Sequence, residues 1–127
     1  MPDSFQERVN EWMHECFDPV VAGDTCERNF RFLEEGLELV QACGASSDDC
    51  HKLVDYVFSR PVGEKPQEVG GVAVTLAALC NAQGLSIEQC GEDELARVWA
   101  NIERVRQKQA NKPIRSPLPG FVDDDED

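Results

Sequence analysis

No stretch of this sequence alternates apolar and polar residues for long enough to build a half-buried strand, which excludes a sheet. No two of its six cysteines stand as C-x-x-C, and only His14 and His51 could join them as ligands, neither at finger-like spacing. The cysteines therefore read as reduced, mostly buried thiols acting as small apolar residues. The longest uncharged apolar run, 69–80, is too short to cross a bilayer, and no basic start with an apolar run and a cleavage site opens the chain. A cytoplasmic protein with no membrane partner is expected. Positive charge is also scarce, with 12 Lys and Arg against 25 Asp and Glu. Binding to a nucleic-acid backbone depends on neutralising phosphates, so no stable nucleic-acid partner is expected of a chain at −13.

What the sequence does have is apolar residues at three- and four-residue intervals along 127 positions, 41% of them hydrophobic. That pattern predicts an all-α protein of about five helices packed as a bundle, with one domain over 1–115 and an extended acidic tail over 116–127. The first helix covers 4–16, carries Phe5, Val9, Trp12 and Cys16 on one stripe, and ends before Asp18 and Pro19. The second starts at an Asp24 or Thr25 cap and runs to Cys43, with Gly44 placed for a left-handed stop. Ser46 and Asp49 open the third in a capping-box-like arrangement, and Pro61 ends it. The fourth begins at Pro66 and stops at Gly84. Having no charge between 69 and 80, it is expected to be central and packed on most sides. After a turn at 86–90, the last helix covers 92–110.

Charge is unevenly placed. Positions 95–115 hold six basic residues and the single acid Glu103, whereas Asp123 to Asp127 are all acidic and have nothing apolar to pack. On the last helix Arg97, Asn101, Arg104 and Lys108 form one polar stripe, able to hold phosphate oxygens or simply to face solvent. Trp12 could stack a nucleobase, although an aromatic on an apolar stripe is more often core.

The second helix carries the main cluster. With Glu34 set at zero on a wheel of about 100° per residue, Glu38 falls near 40°, Arg31 near 60° and Glu35 near 100°. Apolar residues flank this acidic face on both sides, which leaves little of the helix for bulk water. Crowded carboxylates become favourable when a cation joins them, and Mg2+, with Mn2+ as a substitute, suits an oxygen-only donor set. The plain alternative is a solvated helix face salted by Arg31. Glu68, in the first turn of the fourth helix, is either a helix-dipole partner or a further carboxylate facing Glu35 and Glu38.

The segment Arg31-Phe-Leu-Glu-Glu-Gly-Leu-Glu-Leu-Val, followed after Pro66 by Gln-Glu-Val-Gly-Gly-Val-Ala-Val-Thr-Leu, resembles the all-alpha nucleotide pyrophosphohydrolases of the MazG-like group. Their motifs are E-E-x-x-E and, further on, E-x-x-D. The resemblance covers about residues 5 to 110 and implies Mg-dependent hydrolysis of a (deoxy)nucleoside triphosphate to monophosphate and pyrophosphate. It implies Glu35, Glu38 and Glu68 as metal ligands, with Glu34 a further ligand or the group that orients the attacking water. Arg31, Arg97, Asn101, Arg104, Lys108 and Trp12 are the candidate substrate contacts, and Glu34 and Glu38 the candidate catalytic pair. A homodimer or dimer of dimers is implied too. Gly71 stands where the family has its aspartate. The alternatives are therefore a nucleotide-binding helical dimer with weakened catalysis, or a hydrolase of a signalling nucleotide.

Overall fold

The computed structural model describes residues 3–110 and 117–118, and among these there are seven α-helices and no strand. The helices are α1 (Phe5–Cys16), α2 (Pro19–Ala22), α3 (Thr25–Ala42), α4 (Ser47–Phe58), α5 (Lys65–Gln83), α6 (Ile87–Ala100) and α7 (Ile102–Ala110). The all-α expectation holds, but the count differs from five for two local reasons. Asp18 accepts from the Val21 amide and Pro19 occupies the first helical position, so the expected loop at 18–23 makes a short helix. The long last helix is broken at Asn101, whose Nδ2 donates to the Arg97 carbonyl at 2.9 Å. The expected turn at 86–90 is instead the start of α6, with Ser86 Oγ accepting from the Gln89 amide.

Local capping sets the other boundaries. Ser4 and Glu7 form a reciprocal capping box on α1, and Ser46 accepts from the Asp49 amide at the head of α4. Gly44 (φ 98°) and Gly84 (φ 71°) sit in the left-handed region, where glycine carries no Cβ penalty. Each lets the chain close a six-to-one bond, Ala45 to the Val40 carbonyl and Leu85 to the Cys80 carbonyl, that satisfies a helix-end acceptor.

The chain divides into two units, Met1–Leu37 with Leu95–Asp127 and Glu38–Glu94, where the sequence reading gives a single domain over 1–115. In the first unit, Trp12, Cys16 and Leu95 form the core, with Val9, Phe17, Val98, Ile102 and Val105 packed against them. Burying one such aliphatic side chain stabilises by about 1.5–3 kcal/mol. Trp12 meets Phe17 edge to face at 5.6 Å between ring centroids. Arg106 fastens α7 to the end of α1, donating through Nε to the Cys16 carbonyl at 3.0 Å and through Nη2 to the Glu15 carbonyl. A cation there also meets the negative end of the α1 dipole.

In the second unit Cys80, 9% exposed, is the buried residue among those described. The expectation that 69–80 is packed on most sides is corrected: 69–75 and Ala78 are exposed, and only Leu76, Ala77 and Leu79 are partly covered before Cys80. An apolar sequence demands a cover, but no helix of this unit supplies one. The cysteine expectation is corrected in part as well, since all six are free thiols but only Cys16 and Cys80 are buried, and Cys90 is exposed. No single helix among the described residues is long and apolar enough to cross a membrane. Lys112, Arg115 and the acidic run at 123–127 lie outside the described residues.

Candidate carboxylate site on helix α3

Asp24 starts α3 by accepting the Cys26 and Glu27 amides at 3.0 and 3.1 Å. One turn in, Glu27 is only 4% exposed, a buried acid at the positive end of the helix dipole. Its Oε2 lies 3.3 Å from Arg31 Nε and 3.7 Å from Arg28 Nη2. Arg31 continues the chain of contacts, with Nη1 3.2 Å from Glu34 Oε1 and Nη2 donating to the Pro117 carbonyl at 3.0 Å. Burial lowers the pKa of Arg28, the Glu27 carboxylate opposes that shift, and Arg31 adds to it.

The expected site residues fall into distinct environments. Glu34 is half-buried and held by Arg31, while Glu35 and Glu38 are exposed. Phe32, Leu33 and Leu37 are exposed too, so the flanking apolar stripes do not enclose the acids as the wheel suggests. Arg31 is committed to Glu27, Glu34 and the chain near Pro117, which leaves it a brace for the carboxylates more than a grip for substrate. Trp12 belongs to the core, 9% exposed, and presents no face to a base. Arg97, Arg104 and Lys108 are half-buried and Asn101 is exposed at the helix break, which interrupts their expected stripe.

Glu34 and Glu35 belong to the first unit and Glu38 and Glu68 to the second. Glu68 is exposed, and its carboxylate lies so close to Gly63 that a Cβ there would overlap Glu68 Oε2. Glu64 caps α5 through its backbone without a side-chain bond. Among the described residues no group of three or more His, Cys, Asp or Glu side chains is gathered as a metal cage. What the chain does offer is two exposed carboxylates three residues apart on one helix. Mg2+ commonly needs no more, because it retains waters and takes the rest of its shell from substrate phosphates.

Sequence reasoning missed Glu27 and Arg28. The signal was available in part: Asp24 followed at the third position by Glu27 marks a helix start, and Glu27 with Arg31 is an i,i+4 pair. The burial of Glu27 carries no such mark. A second feature of the first unit is an open cleft of about 690 Å3 bounded by Glu7, Asn10, Met13 and Arg28, to which none of the expected site residues contributes. Comparisons with protein-family models, with curated proteins and with solved structures found no match.

Proposed function

We propose that this protein is a magnesium-dependent hydrolase that cleaves a (deoxy)nucleoside triphosphate to monophosphate and pyrophosphate, working from the carboxylate face of α3. The observation that carries the reading is the braced row on that helix: buried Glu27 holds Arg31, Arg31 holds Glu34, and Glu35 and Glu38 stand next to them in solvent. A braced acid beside two solvent-exposed carboxylates suits a reaction in which one group orients water and the others hold a cation. Glu35 and Glu38, joined by Glu68, are the proposed ligands. Glu34 is the proposed acceptor for the attacking water's proton or the group that aligns that water. Bound Mg2+ would supply charge stabilisation for the phosphate chain and the leaving pyrophosphate. Arg97, Arg104 and Lys108 are the proposed contacts to phosphate oxygens.

The experiment is a pyrophosphate-release assay with a panel of canonical, modified and signalling nucleotides in Mg2+ or Mn2+. Turnover of at least one is expected, and Glu38→Gln should lower it by at least about 100-fold with the helical signal intact. Failure of the whole panel would remove the reading. A second reading, a nucleotide-binding helical protein without turnover, is favoured by one fact: the position expected to hold an aspartate is Gly71, which has no side chain to offer. Calorimetry with nucleotide and Mg2+ separates the two, and Gly71→Asp would raise metal affinity only if the missing ligand is a loss.

A further inference from the structure

We infer that the cleft between α1, α2 and the start of α3 is a binding site for a small ω-amino carboxylate. The ligand's carboxylate pairs with Arg28, its ammonium with Glu7, and its methylene chain lies over Val9, Met13 and Ala22. None of these residues belongs to the carboxylate row of α3, so the inference stands or falls independently of the hydrolase reading.

The cleft is built entirely from residues of the first unit. Its volume of about 690 Å3 falls within the range of small-molecule sites, which combine apolar walls with a few placed polar groups. Val9, Met13 and Ala22 supply the apolar wall, and Asn10 adds an amide between the two charges.

Arg28 is the first ground. A guanidinium carries five N–H donors. Among the described residues, Nε and Nη2 of Arg28 are shielded from water without a hydrogen-bond acceptor, and Nη1 meets the Met13 thioether at 3.9 Å. Thioether sulfur is a weak acceptor. The guanidinium is held over the Phe17 ring, 5.7 Å from its centroid. Glu27 lies 3.7 Å from Nη2 but closer to Arg31, at 3.3 Å, so two cations share that one carboxylate. A cation so placed gains from a ligand carboxylate, which brings charge-assisted acceptors. Because Met13 and Arg28 both bound the cleft, their contact marks its anion-binding end.

Glu7 is the second ground. Its pKa is lowered by the Ser4 amide and then by the Ser4 hydroxyl, so it is a carboxylate at neutral pH. A carboxylate offers about four acceptor positions, of which the Ser4 amide takes one at 2.8 Å. Glu7 and Met13 are separated on α1 by about 9 Å of helix. Opposite charges therefore stand at opposite ends of one apolar wall.

That arrangement selects the ligand. A phosphate dianion is repelled by Glu7, and a simple amine by Arg28, whereas a molecule with one charge of each sign answers both. A chain of about three to five methylenes bridges a gap of that order.

The test is an amide-resolved NMR titration of the full chain with 5-aminopentanoate, and with pentanoate and pentylamine as controls. Shifts confined to 4–13 and 22–28 are expected, with a dissociation constant of about 1 mM and at least about 10-fold weaker binding of either control. Arg28→Gln should weaken binding of 5-aminopentanoate at least about 10-fold. Glu7→Gln, whose amide oxygen can still cap Ser4, keeps the test decisive if the Arg28 variant fails to fold. It should remove the preference for 5-aminopentanoate over pentanoate while leaving pentanoate binding unchanged. Absence of shifts up to about 20 mM overturns the inference, as does equal binding of pentanoate, or a preference that survives in Glu7→Gln.

Discussion

Arg31 holds its Nε 3.3 Å from Oε2 of Glu27, a carboxylate whose side chain is 6% exposed. The pair is one helical turn apart, and both groups are withdrawn from water in a unit whose hydrophobic core is small. Neutralising Glu27 takes from Arg31 its most buried partner and leaves the half-buried Glu34 to balance it, a costly way to break an ion pair. Glu27→Gln is expected to destabilise by about 2–4 kcal/mol. Urea denaturation monitored by helical signal checks this, and a midpoint equal to that of the natural chain would mean that Arg31 and Arg28 find other partners.

The small core of the first unit makes Leu95 disproportionately important. It is 8% exposed and packs with Trp12 and Cys16. Leu95→Ala should cost about 2–5 kcal/mol, the usual range for a buried leucine replaced by alanine. The change should also alter the emission of the adjoining Trp12 in the folded state, and an unchanged spectrum and midpoint would contradict the packing.

Acid should loosen the start of α1. Ser4 donates its amide to Glu7 Oε1 at 2.8 Å, and the pKa of Glu7 is lowered by that backbone bond first and by the Ser4 hydroxyl second. A carboxylate with a lowered folded pKa adds stability that is present above its unfolded value and lost as pH falls through the folded one. Amide protection at 5–8, corrected for the intrinsic exchange rate at each pH, should therefore fall on acidification; Glu7→Gln should remove that dependence, whereas Ser4→Ala should remove only the smaller part due to the hydroxyl.

Cys16 behaves in the opposite sense. Burial pushes its thiol pKa up, with Arg106 acting against the shift and Glu103 adding to it. A raised folded pKa favours the neutral thiol, so its contribution to stability is present below the ordinary thiol value and is lost as pH rises through the folded one. In a maleimide time course at neutral pH, exposed Cys90 should be modified first and Cys16 only as the chain opens. Early labelling of Cys16, located by peptide mapping, would contradict its burial.

Gly63→Ala offers a direct probe of Glu68. The new methyl group would occupy the space of the Glu68 carboxylate, which can swing away at the end of a flexible side chain. Stability should change by no more than about 0.5 kcal/mol. If Glu68 is a ligand, Mg2+ affinity measured by calorimetry should change, and identical affinity in the variant would take Glu68 out of the site.

Much of the helix plan was legible because its causes are local. Ser46 with Asp49, Pro66, Gly44 and Gly84 mark ends through bonds that span three to five residues, and such bonds form or fail within the segment itself. The break at Asn101 was not legible, because Leu95, Val98, Ile102 and Val105 keep helical spacing straight through it. The acids of α3 were found as a row, but the residue that braces the row, Glu27, reads in sequence as an ordinary first-turn glutamate.

The sequence by itself determined an all-helical chain, the positions of most helix ends, and a carboxylate row on α3, since periodicity, capping and i,i+3 or i,i+4 spacing are properties of the chain over a few turns. Only the tertiary structure decided that Glu27 is buried and Arg31 spent on it, that Trp12 is core, and that 69–75 of α5 are exposed. Burial depends on which distant elements arrive to remove water from a side chain. The same apolar helix reads identically whether its own chain covers it or leaves it open.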